Sequence, residues 1–337
     1  MTISAPESLA AYEDSASTSP GRVQPLLEAL AAVDAGSVPV PGRGCTGSRF
    51  ALLSRIAALD LTAARVLEPH LDALAILDEA GLPAPAPGTT WGVFAAEAPG
   101  SRLEAVDGPD GWSLSGTKPW CSLGGRLTHA LVTARHGEEP RMFAVDLRGP
   151  QVTAEPTEWV ARGLAEVESG PLRFDAAPAD PVGGPGWYLE RPGFRWGGIG
   201  VASCWWGGCT PLFRALADRA AASDDPLRAA RTAEVYRALD SARLQLTRAA
   251  AVIDAGPVPD DAAAALAHTV RGVTADAVAL TLDAVRDLLG PAALAFDASL
   301  ARRVADLELY VAQYRRGRDD VSLAKRLPRL DGELAWW

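Results

Sequence analysis

The segment Trp112–Gly125 combines residue types that suit a flat heteroaromatic ligand. Its first residues alternate between apolar and polar side chains, which predicts a short strand that ends in a turn. Trp120 then stands beside Cys121 and Ser122, and two glycines close the segment. An aromatic plate beside small hydrogen-bonding groups and bare backbone suits a planar cofactor. The alternative is that Trp120 is an ordinary buried aromatic of the sheet.

The spacing of apolar residues changes along the chain, and it predicts the elements that position this segment. Residues 1–20 are small, polar and acidic, which predicts disorder. Residues 21–88 predict a helical domain, in which the helical apolar spacing stops at Gly81–Pro83 and a Pro/Ala linker follows. Residues 89–185 contain short alternating runs between Gly, Pro and Asp turns, which predict an antiparallel β domain of six to eight strands.

The helical period returns in residues 186–337, where four long runs joined by short breaks predict an antiparallel four-helix bundle. The runs are 193–222, 226–254, 260–288 and 297–327. The predicted fold class is therefore α+β, with a helical domain, a β domain and a helical bundle in that order. A glycine- and tryptophan-rich stretch, Trp196–Gly208, lies in the first run and predicts close helix packing.

Composition excludes several function classes. The net charge of −10 argues against nucleic-acid binding, although the local basic cluster Arg315, Arg316 and Arg318 could hold a phosphate. No apolar run is long enough to span a bilayer, so we expect no membrane partner. The four cysteines and four histidines fit no zinc spacing, so we expect no metal. With no secretory signal, we expect reduced thiols and a cytoplasmic protein.

Four separated motifs, in order, resemble those of the acyl-CoA dehydrogenase family. They are Ala58–His70, Phe94–Ser101, the Gly-x-Lys-x-Trp run at Trp120, and Gly163 with Phe174 followed by Gly193–Ala202. The ordered set is more specific than any one motif. The likeness spans roughly residues 50–327, and the chain resembles a divergent, shortened member. It implies an FAD cofactor, an acyl thioester substrate carried by CoA or a carrier protein, and assembly into a homodimer or homotetramer.

The resemblance also implies cofactor-binding positions. Trp120, Cys121 and Ser122 would lie against the isoalloxazine ring, with the Ser122 hydroxyl at its edge. Ala95 and Ala96 would contribute backbone N–H and C=O groups, because alanine has no polar side chain. Ser101 follows a glycine, so its small hydroxyl suits a pyrophosphate or thioester. The alternatives are a plain surface position for Ser122 and a turn position for Ser101.

The general base of this family has no counterpart at the expected position. Dehydrogenation of a thioester needs a carboxylate near the α-carbon. Where the family places a glutamate before a glycine, this chain has Arg316 before Gly317. Glu308, Asp319 and Asp320 are nearby, but a solvated helix face or ion pairs with the arginines explain them better. The catalytic residues are therefore left unassigned.

Three functions follow as hypotheses. The first is an FAD-dependent oxidoreductase that forms an α,β-double bond in an acyl thioester. The second is a flavin oxidase or monooxygenase of the same fold, which needs no base for an α-proton. The third is a non-catalytic subunit of a heteromeric complex of such chains.

Overall fold

The computed structural model describes residues 9–330, and its elements occur in the order helices, sheet, helices. The first helices are α1 (Ala10–Thr18), α2 (Val23–Ala31), α3 (Thr46–Leu59) and α4 (Leu61–Glu79). The strands are β1 (Trp91–Phe94), β2 (Leu103–Gly108), β3 (Gly111–Ser122), β4 (His129–His136), β5 (Glu139–Asp146), β6 (Val152–Ala154), β7 (Ser169–Pro178) and β8 (Asp180–Val182). The last helices are α5 (Trp187–Glu190), α6 (Gly193–Ala221), α7 (Pro226–Asp254), α8 (Asp260–Phe296), α9 (Ala298–Val311) and α10 (Arg316–Ala324).

The order of element types agrees with the sequence analysis, whereas the division into domains at 88/89 and 185/186 stays a prediction. Within residues 9–330, no helix is long and apolar enough to cross a bilayer.

The predicted disorder of residues 1–20 is wrong for the part that the structure describes. Leu9, at the N-cap of α1, is buried together with Tyr12 and Ala16 of the helix, and the Tyr12 hydroxyl donates to the carbonyl oxygen of Ala63 at 2.7 Å. These apolar positions recur every three to four residues, so they form one narrow stripe among polar neighbours. Residues 1–8 lie outside the described residues.

Helix α4 is buried along most of its length and holds β1 in place. Its N-cap residue is Asp60, whose Oδ1 accepts a hydrogen bond from the backbone N–H of Ala63 at 2.8 Å. Further along, His70 Nδ1 accepts from the backbone N–H of Trp91 at 3.2 Å. Burial lowers the pKa of His70 to about 4, so the ring is neutral and this nitrogen can accept. The contact fixes the first residue of β1 against the helix.

The sheet is mixed, which corrects the prediction that it is antiparallel. The strand order is β6-β7-β3-β2-β4-β5-β8, and β1 pairs with β4. The β1–β4 pairing is parallel, from Trp91 opposite His129 to Phe94 opposite Val132, and β2 meets β4 in the same sense. The β2–β3 hairpin separates β1 from β4 in the chain, and β1 and β4 run in the same direction across the sheet. Such long-range pairing leaves no local signal in the alternation.

The helices that follow the sheet match the predicted runs except near the C-terminus. Helix α8 continues to Phe296 across a non-helical Gly290, and the fourth predicted run divides into α9 and α10. The break at residues 312–315 turns the chain between these two helices. It is important for the site, because this turn forms one wall of the main cavity.

The glycine-rich stretch of α6 serves helix packing, as the sequence predicted. A Cβ atom at Gly207 would lie 2.1 Å from the backbone oxygen of Ser54, so α3 and α6 approach each other closely here. Trp205 is fully buried on the same helix. At Gly198, by contrast, a Cβ atom would find its nearest contact at 3.6 Å from the Arg271 side chain, an ordinary separation.

We expect opposite effects from alanine at these two glycines. Gly207→Ala should lower the free energy of unfolding by about 1–3 kcal/mol or more, because the added methyl group would push α3 and α6 apart. Gly198→Ala should leave stability unchanged or raise it by up to about 1 kcal/mol, through its better helix propensity. Urea unfolding of both variants measures the difference. Equal stabilities would contradict the close approach of the two helices.

Candidate active site

We call the cavity beside Trp120 the main cavity; it lies between α4, the end of β1, the end of β3 and the α9–α10 turn, and its volume is about 660 Å³. This volume is within the range typical of small-molecule and cofactor sites. Its walls are rich in aromatic side chains: Trp91, Phe94, Trp120, Trp159 and Tyr310. A cavity with such walls favours a ligand that has flat apolar parts.

Trp120 is presented to this cavity by an irregularity in β3. The pairing of β3 with β7 shifts register between Lys118 and Cys121. Trp120 lies inside the shift, with a positive φ of 58°, which is uncommon for an aromatic residue. A bulge of this kind re-aims a side chain out of the regular alternation. Trp120 is 56% exposed, which contradicts the alternative that it is a buried sheet aromatic.

The structure brings four of the six predicted cofactor-binding residues to this cavity. Ala95, Ala96, Trp120 and Ser122 line it. The other two, Ser101 and Cys121, lie outside the lining. Whether any of the six binds a cofactor stays a prediction.

The Cys121 thiol is buried on the other side of the strand. It donates to the carbonyl oxygen of Lys118 at 3.2 Å, and burial raises its pKa to about 12. Ser101 borders a separate cavity of about 100 Å³ together with Lys118 and Arg135. Glu97 borders both cavities, so Ser101 is close to the main site without forming part of its wall. Cys121 therefore faces away from the cavity, although its neighbours Trp120 and Ser122 line it.

A polar chain that the sequence analysis missed runs along one wall. Arg65 Nη2 donates to Ser122 Oγ at 3.2 Å, and Ser122 Oγ lies 2.7 Å from Ser169 Oγ. Because the Ser169 hydroxyl donates to the Val167 carbonyl oxygen at 3.2 Å, Ser122 is the donor to Ser169. Ser122 thus retains one lone pair that could accept a hydrogen bond from a ligand. The only sequence signal was a charged residue, Arg65, in a mostly apolar helical run.

A buried carboxyl group lies behind Arg65. Glu68 is 8% exposed, and its Oε2 lies 3.8 Å from Arg65 Nη1. Burial raises the pKa of Glu68 to about 7, and the Arg65 guanidinium opposes that shift. Tyr310 is 1% exposed beside this pair, and its hydroxyl faces the Cys204 thiol without a well-formed hydrogen bond. The wall of the cavity is therefore backed by polar groups whose pKa values are raised by burial.

The acids that the sequence left near the expected base are engaged elsewhere. Asp319 accepts from the backbone N–H of Arg315 at 3.1 Å and pairs with Arg318, and Asp320 accepts from Tyr314. Glu308 is exposed. Among the described residues that line the cavity, Glu97 is the acidic one, and it lies 3.9 Å from Arg135. Within residues 9–330, no cluster of acidic, His or Cys side chains could hold a metal ion.

The chain has the same fold as several solved structures that are 14–17% identical to it. The dibenzothiophene monooxygenase TdsC from Paenibacillus sp. A11-2, in complex with FMN and indole, aligns with a TM-score of 0.79 and 14% identity over 95% of each chain. KijD3, in complex with FMN and dTDP-3-amino-2,3,6-trideoxy-4-keto-3-methyl-D-glucose, aligns with a TM-score of 0.78 and 17% identity over 98% of this chain and 95% of its own.

The methanesulfinate monooxygenase MsuC from Pseudomonas fluorescens aligns with a TM-score of 0.76 and 16% identity over 95% of each chain. At these identities the likeness establishes the fold alone. No protein-family model and no curated protein matches the sequence.

We expect Glu68 to make stability depend on pH. An acid whose pKa is raised on folding takes up a proton, so its contribution is fully present below about pH 4.5 and is lost as the pH rises toward 7. At ~1.4 kcal/mol per pKa unit, the loss is on the order of 3 kcal/mol. Glu68→Gln, which stays neutral, should flatten this part of the pH profile of the free energy of unfolding.

Urea unfolding between pH 4.5 and 8 measures the effect. The exposed Glu308→Gln is the matched control and should keep the wild-type profile. A Glu68→Gln variant with the wild-type profile would show that Glu68 does not gain a proton on folding.

Proposed function

We propose that this chain is a flavin-dependent oxidoreductase that uses reduced flavin and oxygen, as a monooxygenase or oxidase. The observation that carries the proposal is the composition of the cavity wall. An exposed aromatic plate, Trp120, stands beside Ser122 and Arg65, while no unpaired carboxylate lies in the lining within the described residues. Oxygen chemistry needs no base for an α-proton, whereas thioester dehydrogenation does.

The residues present fit a flavin. The cavity wall supplies flat apolar surface, and one buried polar atom of a lining residue, Trp159 Nε1, has no hydrogen-bond partner in the described structure. Buried polar groups are normally satisfied, so unpartnered ones at a cavity are consistent with an absent ligand. When bound, a flavin would supply two-electron redox chemistry and, in its reduced form, reactivity toward oxygen.

The side chains of this chain would orient the cofactor and set the charge around it. Trp120 would hold the ring by stacking, and the free lone pair of Ser122 could accept an N–H of the ligand. Arg65, with a side chain 18% exposed, places a positive charge in a partly desolvated wall. Such a charge stabilises negative charge that develops on a reduced ligand. The aromatic walls would keep bulk water away.

The other hypotheses have weaker support. Glu97 lines the cavity but is close to Arg135, so a base for acyl thioester dehydrogenation is still missing. Self-association into a dimer or tetramer remains part of the proposal. The exposed apolar side chains Leu227, Tyr236 and Leu244 on α7 support it, because such residues are common at interfaces.

Reconstitution with FMN or FAD tests the proposed function. We expect visible flavin bands after removal of free cofactor, and a rate of reoxidation by oxygen that differs from that of free reduced flavin. With photoreduced flavin, ¹⁸O₂ and indole as the first probe, ¹⁸O in an organic product would show monooxygenation. Absence of flavin binding would overturn the proposal. Anaerobic bleaching by a panel of acyl-CoA thioesters would instead favour the dehydrogenase.

We expect Trp120→Ala to weaken flavin binding by roughly tenfold, through lost stacking of about 1–1.5 kcal/mol. Because Trp120 is more than half exposed, stability should change by less than about 0.5 kcal/mol. Trp112→Ala is the matched control on the same strand: Trp112 packs against Phe143 and Arg141, outside the cavity. It should lower stability and keep flavin affinity. Fluorescence titration and thermal unfolding of both variants separate a cofactor contact from packing.

A further inference from the structure

The cavity is locally basic although the chain is acidic. Arg65, Arg315 and Arg318 line it against one acidic residue, Glu97, in a chain of net charge −10. Two of these arginines have partners: Arg65 contacts Ser122 and Glu68, and Arg318 Nε lies 3.3 Å from Asp319 Oδ1. The Arg315 guanidinium makes no ion pair or hydrogen bond among the described residues. One unneutralised cation therefore lies in the wall of the cavity.

The position of Arg315 is set by the break between α9 and α10. Its backbone is non-helical (φ −99°, ψ 83°), and its N–H donates to the buried Asp319 carboxylate. The same carboxylate pairs with Arg318, so Asp319 ties both arginines to one turn of α10. The next residue, Arg316, faces elsewhere and pairs with Asp276 on α8. Of the three arginines at this turn, Arg315 and Arg318 therefore reach the cavity and Arg316 does not.

We propose that Arg315, with Arg318 beside it, binds an anionic group, a phosphate or carboxylate, of a molecule held in this cavity. The planar guanidinium fork matches both groups and forms short, charge-assisted hydrogen bonds with them. Asp319 opposes the anion in part, but its oxygens are committed to the Arg315 N–H and to Arg318. The anion belongs either to the flavin, as its phosphate, or to the substrate. This inference rests on the proposed function only for the identity of the ligand.

The test compares ligands that differ by one charged group. FMN and riboflavin differ only in the phosphate, and their dissociation constants are measured by flavin fluorescence with wild type, Arg315→Ala, Arg318→Ala and Arg316→Ala. If the site holds the flavin phosphate, wild type should bind FMN roughly tenfold or more tightly than riboflavin. Arg315→Ala should bring that ratio toward one, Arg318→Ala should lower it less, and the control Arg316→Ala should keep it.

A second titration identifies a substrate anion. Benzoate and pyrophosphate are added to the riboflavin-loaded protein while the emission of the cavity tryptophans is recorded. Loss of this binding in Arg315→Ala, with an unchanged ratio of FMN to riboflavin, would assign the site to the substrate. Binding should also weaken as salt is raised.

Two further outcomes distinguish failure of the proposed function from failure of the anion site. If no flavin binds but pyrophosphate binds in an Arg315-dependent way, the proposed function fails and the anion site stands. If neither the flavin ratio nor anion binding changes in Arg315→Ala and Arg318→Ala, the anion site is refuted. All three arginines are exposed, so thermal unfolding should confirm that each variant folds.

Discussion

The cavity depends on one local irregularity, the shift in β3 between Lys118 and Cys121. In a regular strand, Trp120 would pair with β7 and its side chain would follow the alternation of the sheet. The shift instead places its backbone in the left-handed region, where the ring leaves the sheet and stands in the cavity. Left-handed backbone is unfavourable for an aromatic residue and persists only where surrounding contacts hold it. The pairing of β3 with β7 resumes at Cys121 and Ser122, and it supplies those contacts.

The shift also determines which polar groups meet. It brings Ser122 opposite Ser169, and the hydroxyl pair gives Arg65 a partner at the surface of the sheet. Helix α4 can therefore hold a charged residue against the sheet without leaving the guanidinium unsatisfied. Behind Arg65, the Glu68 carboxyl group lies 3.8 Å from the guanidinium, and burial affects its pKa more than the Arg65 charge does. Buried pairs of this kind are weak sources of stability.

Local signals predicted much of the fold and part of the site. Apolar period and stop signals predicted α6, α7 and the start of α8 closely, because propensity and packing agree in long amphipathic helices. Aromatic and small residues predicted Trp120 and Ser122, which share the cavity. Helix α1 was missed because its buried apolar stripe consists of only three residues among polar neighbours. The parallel β1–β4 pairing was missed because its partners are separated by a complete hairpin.

The parts of the site that the sequence analysis could not assemble share one property: they join residues that are far apart in the chain. Arg65 and Ser122 are 57 positions apart, and Arg315 reaches the cavity only because α9 ends before α10 begins. Arg316, one position away, has the same residue type but pairs with Asp276. Residue type alone could not separate these two arginines, since the turn between the helices decides which guanidinium faces the cavity. A site with cations in its wall and its acids paired is suited to stabilise negative charge and poorly suited to remove a proton from carbon. That distribution of charge, more than the shared fold, favours the proposed oxygen-dependent reaction over thioester dehydrogenation.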